Sequence, residues 1–506
     1  MFINRINSQL LINRLQAEYY NPELMLLTDQ LQKGGSGSLR AYVNDFFRDP
    51  YCYGFDQADK SSIEFNVPYV KGEDLQQFVV TEAKSWVEES SLRKHSKVAL
   101  RKGDLIISVR GYIGHVAVFS HKVGLPSPNV LAIRPKNTLV DSYFLSAYLN
   151  TNTGHSLVRR YVSGSVQETI TVEDIGNIQC FVPNLFTQKH IGDKVRQAES
   201  LRAWAKSVQQ QAAELLPAYI REIQRYKAKS YRAKDIVSER LDSLFYHPDY
   251  IALERKMKAK GCNRLGLIAK QIKDSWNKKK AETFEYYEIG GLDITTGQVS
   301  STKTQTVGAP SRAKTKVQQG DVLVSTVRPN RKNVGFIVDS VTESEMVATS
   351  GFSVLRFSSL AQAAFYHAWL RTDDATAQLM RWNSGSAYPA IDDDVPLNII
   401  VPKFEQEFVD SWGQKLLDAQ FAYVYARKLT EAAKTLVETL IEGQLTEQQL
   451  IQAQQALDDG DNSLDQAILS KLSSEGYAID GATPLFSDID ELYRLLESAA
   501  HAEAEE

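Results

Sequence analysis

Between Gln188 and Tyr231 the chain reads as one long helix, and Leu201, Ala205, Val208, Ala212, Leu215 and Tyr219 alternate in steps of four and three, the seam of a coiled coil. A stripe that narrow cannot close a core alone. A partner lies near the other end of the chain, where Val409, Trp412, Leu416, Ala419, Tyr423, Ala426, Thr430, Ala433, Val437 and Leu440 keep the same alternation with one polar break. Pro217 has no amide hydrogen and is expected to kink or break the first helix.

The two helices bracket a block that repeats the block before them. Arg14-Leu15 with Tyr19-Tyr20-Asn21-Pro22 answers Arg240-Leu241 with Phe245-Tyr246-His247-Pro248. Lys102-Gly103-Asp104-Leu105-Ile106-Ile107-Ser108 answers Gln319-Gly320-Asp321-Val322-Leu323-Val324-Ser325, followed by Arg110 and Arg328 respectively. Residues 144–149 (FLSAYL) answer 365–370 (FYHAWL), Ser163-Gly164-Ser165 answers Ser384-Gly385-Ser386, and Phe181-Val182-Pro183 answers Ile400-Val401-Pro402. Five pairs in one order define an α+β chain: a tandem repeat of a mixed globular domain followed by a long helix, the two helices pairing as a coiled coil. The expected boundaries are 1–187 for the first domain, 188–234 for the central helix, 235–403 for the second domain, 404–457 for the distal helix and 458–506 for an acidic appendage without a counterpart.

At 506 residues the chain exceeds one core. Hydrophobic content of 43% and charged content of 24% are those of a soluble globular protein, and no run reads as a signal peptide or membrane span. Cys52, Cys180 and Cys262 are scattered, with no CxxC, which argues for a reducing, cytoplasmic setting and against a zinc site. The net charge of −4 is unevenly shared: from Asp458 onward thirteen acidic residues face only Lys471 and Arg494, so this tail contributes −11 and the remainder stands at +7. That surplus permits DNA binding.

The buried-looking strand LIIS ends in Ser108, Arg110 and Tyr112, bringing a hydroxyl, a guanidinium and an aromatic to one rim. Arginine reads guanine edges bidentately and also binds phosphate. In the second block the matching place holds Arg328-Pro329-Asn330-Arg331-Lys332-Asn333, a more basic tip. The alternative for Arg110 is a surface carboxylate partner, and Lys102 and Asp104 are expected to face solvent. The two Ser-Gly-Ser loops are preceded by Arg159-Arg160 and by Arg381 with aromatic neighbours, and Gln167 and Tyr388 occupy the same place in them. Glycine lets a backbone come close while serines donate to phosphate. The candidate DNA-contacting residues are therefore Arg110, Tyr112, Arg159, Arg160, Ser163, Ser165 and Gln167 in the first half. In the second they are Arg328, Asn330, Arg331, Lys332, Arg381, Ser384, Ser386 and Tyr388, with Lys71, Lys94 and Lys303 as further cations. The lysine-rich stretch from Lys256 to Lys280 reads either as phosphate contacts or as a solvated face.

No catalytic pattern accompanies them. Walker, HExxH and Asn-Pro-Pro-aromatic segments are absent, and Pro248-Asp249 with Glu254-Arg255-Lys256 is too tightly spaced, on a helical-looking run, for a nuclease. The RLxxxYYxP opening at 14–22, the KGDLIISVRG strand and the SGSxQxxI segment instead resemble the specificity subunit of type I restriction-modification systems, over about residues 10–445. The resemblance implies two target recognition domains on an antiparallel helical spacer, reading a split double-stranded DNA site. It also implies two methyltransferase subunits beside the helices, further restriction and translocation subunits, and S-adenosylmethionine with the catalytic motifs in those partners. The acidic tail departs from the pattern. The competing expectations are a protein-binding scaffold indifferent to DNA and a self-contained modifying enzyme.

Overall fold

The computed structural model describes residues 18–33, 36–164, 168–223, 240–278, 281–338, 344–385 and 388–505. Two compact units divide the chain: residues 1–200 with 425–496, and residues 201–424 with 497–506. Both are mixed α+β.

In the first unit the strands Val43–Phe47, Val130–Pro135, Leu105–Ser108, Val116–Phe119 and Val79–Val80 lie side by side in that order. A second sheet orders Trp86–Glu88, Phe65–Val70, Val123–Pro126 and Leu100–Arg101, its middle pair parallel. The second unit repeats both. Lys270–Gln271, Phe352–Arg356, Val322–Ser325 and Val334–Phe336 form one sheet; Val299–Gln305, Thr283–Leu292, Glu345–Thr349 and Ala313–Lys316 form the other, again with a parallel middle pair. Strand order and direction match throughout these four-strand sets, so the duplication read from the sequence is a duplication of topology.

The central strands are buried on both faces, which is why LIIS and VLVS are uninterrupted apolar runs. In the first unit Phe47, Val67, Val70, Ile106, Phe119, Leu125 and Ala132 join the two sheets in one core. The helix Ser142–Leu149 is capped by Asp141, whose carboxylate accepts the Tyr143 and Phe144 amides at 2.9 Å.

The expectation that the Lys-Gly-Asp turn faces solvent is corrected for its aspartate. Asp104 and Asp321 are buried, each held by the arginine that ends the neighbouring strand: Arg134 donates through Nε and Nη2 at 2.8 and 2.7 Å, and Arg356 through the same atoms at 2.7 and 2.8 Å. Each carboxylate also accepts a backbone amide, from Arg101 and from Gln318. Gly103 and Gly320 adopt φ of +92° and +86°, a conformation that favours glycine. The motif is a buried ion-paired turn that anchors the central strand.

The central helix spans Leu185–Leu215, ending two residues before Pro217, and a 3-10 turn follows at Tyr219–Glu222. It is thus shorter than the helix expected to run to Tyr231; residues 224–239 lie outside the described residues. Leu201, Ala205, Val208 and Ala212 are buried as expected, but Leu215 is 52% exposed and Leu216 takes the inward place. The register shifts where the proline ends the helix. In the second unit Asp374 accepts the Tyr219 and Ile220 amides at 2.8 and 2.7 Å, satisfying the turn beyond that break. The distal helix is Gln406–Ile441, and a separate helix, Glu447–Asp458, begins at a Thr446/Gln449 capping box. Its seam is buried at Val409, Leu416, Ala419, Tyr423, Ala426, Ala433 and Val437 and half-buried at Trp412, Thr430 and Leu440.

Residues 458–496 of the acidic C-terminal segment belong to the first unit. Asp465, fully buried, meets Lys194 and His190 of the central helix, both also buried, and accepts the Tyr493 hydroxyl. Burial alone would raise the Asp465 carboxyl, but the Lys194 ammonium and His190 together outweigh it and hold the group well below the usual carboxylate range. Lys189 pairs with Asp458, and Tyr425 stacks on Phe486 and donates to the Asp488 carbonyl at 2.9 Å.

Candidate nucleic-acid interface

Each unit ends its central hairpin in the same joint. In the first, the Ser108 hydroxyl donates to the Arg110 carbonyl at 3.0 Å, and Arg110 bridges to Thr169. Thr169 closes the following loop by exchanging backbone hydrogen bonds with Ser163 at 2.8 and 2.9 Å, across Gly164 at φ +99°. In the second, the Ser325 hydroxyl donates to the Val327 carbonyl at 2.8 Å, Val327 bridges to Ala390, and Ala390 exchanges bonds with Ser384 at 3.1 and 2.7 Å across Gly385. A Ser-Gly loop is thereby pinned to the tip of a buried hairpin, so the tip is carried by rigid elements.

The joint also revises one pairing. Val327, not Arg328, is the structural counterpart of Arg110, and Arg328 stands where the first unit has Gly111. Both adopt positive φ, +52° and +76°, which glycine does readily and arginine only under constraint. Here the constraint is visible. The Arg328 amide donates to the Pro389 carbonyl at 2.7 Å, its guanidinium lies over the Tyr388 ring with 5.0 Å to the centroid, and Lys332 closes the Pro329–Arg331 turn at φ +56°.

The predicted site residues divide into three groups. Arg110 and Tyr112 are exposed at the first tip, Tyr112 by 68%; Arg328, Asn330, Arg331 and Tyr388 share the second, Tyr388 exposed by 70%. Ser163 and Ser384 flank the loops, their hydroxyls donating to Thr169 and Ala390 carbonyls. Lys71 follows the strand Phe65–Val70, its ammonium 5.8 Å from the Tyr69 ring centroid, and Gly72 packs against the Ser108 hydroxyl. Lys94 and Lys303 are exposed on separate elements, the helix Glu89–Lys94 and the strand Val299–Gln305.

A second group is engaged internally. Arg160 is buried: it donates to the Tyr19 carbonyl and the Thr28 hydroxyl, both at 2.7 Å, and stacks over the Tyr19 ring. Arg381 does the same in the second unit, donating to the Phe245 carbonyl at 3.1 Å, pairing with Glu254 and lying over the Phe245 ring. In this structure these arginines clamp the aromatic opening of each repeat. Arg159 forms a two-pronged pair with Glu168 at 2.9 and 3.0 Å, and Lys332 pairs with Asp373 at 2.6 Å. Lys332 and then Arg221 hold the Asp373 carboxyl below its ordinary value against the opposing effect of burial. In the lysine-rich stretch Lys256, Lys258 and Lys273 face Glu222, Glu254 and Asp393, and the run Pro248–Ala259 is helical, as expected. Ser165, Gln167, Ser386, Lys279 and Lys280 lie outside the described residues.

Residues 55–224 match the family model described as the type I restriction modification DNA specificity domain. None of the curated proteins matches the chain. Among solved structures the chain is similar to the type I restriction-modification S subunit of M. genitalium, at 14% identity and TM-score 0.37 over 83% of this chain and 95% of that one. It is also similar to the HsdS subunit of Thermoanaerobacter tengcongensis, at 15% identity and TM-score 0.27 over 81% and 97%. A third is a chain from a structure described for complex assembly and conformational transition of the type I system, at 15% identity and TM-score 0.28 over 81% and 98%. The specificity-domain match includes the Arg110 hairpin, the Ser163–Thr169 loop and the central helix, and the second unit repeats its sheets and its joint.

Sequence reasoning missed Arg48. Its Nε donates to the Pro128 carbonyl at 2.8 Å, and burial, with the nearby Arg110 charge, lowers its pKa. Nothing in the residues around Arg48 marks it; only the strand pairing of Val43–Phe47 with Val130–Pro135 brings it to the tip.

Proposed function

We propose that the chain is the DNA-specificity subunit of a type I restriction-modification system. Each unit reads one half of a split double-stranded site through its hairpin tip and Ser-Gly loop. The observation that carries the reading is the specificity-domain match at 55–224 together with the same tip geometry rebuilt, with different side chains, in the second unit. Methyl transfer and S-adenosylmethionine binding belong to partner methyltransferase subunits beside the long helices, and translocation with cleavage to restriction subunits. The chain itself is non-catalytic and works in the cytoplasm. Among the described residues no helix is long and apolar enough to cross a membrane.

The long helices act as a spacer, paired as an antiparallel coiled coil. At 1.5 Å per residue, the 31-residue central helix is about 46 Å long, more than one DNA turn of about 34 Å. Selection from random DNA by the chain assembled with its methyltransferase should enrich two short fixed motifs at one spacing. A single contiguous motif, or no enrichment, overturns the reading. Inserting one or two helical turns before Pro217 should change the spacing and leave both motifs intact.

A further inference from the structure

The Ser127–Asn129 turn gathers three strand ends of the first unit. The Val70 carbonyl, just before Lys71, accepts the Ser127 amide at 2.8 Å; the Pro128 carbonyl accepts Arg48 Nε at 2.8 Å; the Asn129 carbonyl accepts the Val109 amide, just before Arg110, at 2.9 Å. Arg48 thus reaches the turn with its own side chain, and Lys71 and Arg110 each follow a residue whose backbone is bonded to it. Among the described residues none of the three has an ion-pair partner. The nearby carboxylates are engaged elsewhere: Asp49 bonds His95 Nδ1 at 2.7 Å and accepts the Tyr51 amide at 2.8 Å, and Asp74 accepts the Lys71 and Lys84 backbone amides at 2.7 and 2.9 Å.

We infer that Arg48, Lys71 and Arg110 form a clamp for one backbone phosphate of the DNA bound by the first unit. The inference rests on the DNA-specificity reading and adds to it a contact, Arg48, and a chemistry, anion binding without base readout. Like charges held together are unfavourable in the free protein, and a phosphodiester oxyanion relieves that repulsion, whereas a guanine edge brings no net charge. The Nε bond to Pro128 fixes the Arg48 guanidinium plane and leaves its Nη groups to donate. Burial together with the Arg110 charge lowers the Arg48 pKa, as expected for a cation stationed beside another and awaiting an anion. The corresponding residue in the second unit shows the alternative. Strand register equates Arg48 with Lys273, and Lys273 faces the Asp393 carboxylate at 3.6 Å.

The test uses the full chain assembled with its methyltransferase, the duplex it selects, and affinities over a salt series. Arg48→Gln should weaken binding about ten-fold at moderate salt and flatten the logarithmic salt dependence by about one, with base preferences in both half-sites unchanged. Arg110→Gln, at an exposed position that leaves the Pro128 bond intact, should do the same, and the double variant should lose less than the two single losses combined, because both side chains grip one phosphate. Arg48→Lys should recover most of the salt dependence. An unchanged slope, additive losses, or a relaxed preference at one base of the first half-site overturns the clamp while leaving the specificity reading standing. Failure of the unmodified complex to select any split site removes that reading and the clamp with it.

Discussion

The two units share a frame and differ at its tip. In the first, Arg48, Lys71 and Arg110 have no ion-pair partner among the described residues; in the second, Lys273 faces Asp393, Lys332 faces Asp373, and the guanidinium of Arg328 rests on Tyr388. The frame repeats to the level of single hydrogen bonds, as in Asp104–Arg134 and Asp321–Arg356. In a duplicated chain, residues that recur at equivalent positions hold the fold, and under the proposed function residues that fail to recur are the candidates for DNA contact. The units differ also in what covers their part of the long helices, since the buried Lys194–Asp465 contact ties the C-terminal segment to the first.

That second difference gives the largest expected effect. Lys194→Met leaves Asp465 buried without its main counter-charge, a change that costs about 3–5 kcal/mol. The loss should appear in the first unit and spare the second, as read by hydrogen exchange of strand amides in each. Acid should mimic it. Because Asp465 is held below its ordinary value, its contribution is complete above the unfolded aspartate value of about 3.9 and is lost as the pH falls below that. Stability of the first unit should therefore fall in that range, and the variant should lack this component. An equal loss in both units would break the asymmetry.

Next in size are the paired arginines. Arg160→Ala and Arg381→Ala each remove bonds to buried or half-buried acceptors and a stacked guanidinium, about 2–3 kcal/mol in each unit. Thermal unfolding should show both losses, while the folded fraction selects the same DNA half-sites. A changed half-site with intact stability would return these residues to the interface.

The two arginines also show how far the sequence could be read. The repeat, the long helices and the proline break were visible because backbone geometry needs particular residues: glycine at positive φ, an aspartate that receives a strand-end arginine, an amide that proline lacks. Whether an arginine points inward was not visible, since Arg159 and Arg160 are neighbours with opposite fates. A signal did exist. Arg160 and Arg381 recur together with Tyr19 and Phe245, and an arginine that recurs with its aromatic partner belongs to the frame. Arg110 and Arg328 looked like another recurring pair, yet hydrogen bonding sets them one residue apart. Arg48 carried no local mark, because its position depends on a strand pairing across about eighty residues.

A smaller effect should follow from Tyr388→Leu. It removes the ring beneath Arg328, a cation–π contact of about 0.5–1 kcal/mol at an exposed site, and frees a guanidinium whose backbone stays fixed by Pro389. Preference at one position of the second half-site should relax several-fold, as measured by selection from random DNA, with the first half-site unaffected. Relaxation in both would mean that the tips do not read independently.

The smallest expected effect is also the most direct test of the tip comparison. Asp393→Asn removes the carboxylate facing Lys273, while the Asp393 backbone carbonyl that accepts Gln271 and Ser353 is untouched. The lost pair is exposed on both sides and contributes less than about 1 kcal/mol to stability, so unfolding should barely change. DNA binding should change more than stability does. With Lys273 released at the place Arg48 holds in the first unit, the second tip gains a cation for a phosphate, and the logarithmic salt dependence should steepen by up to about 0.9. If the slope stays fixed, the second unit seats its DNA differently from the first, and equivalence of the frames does not extend to the path of the DNA backbone across them.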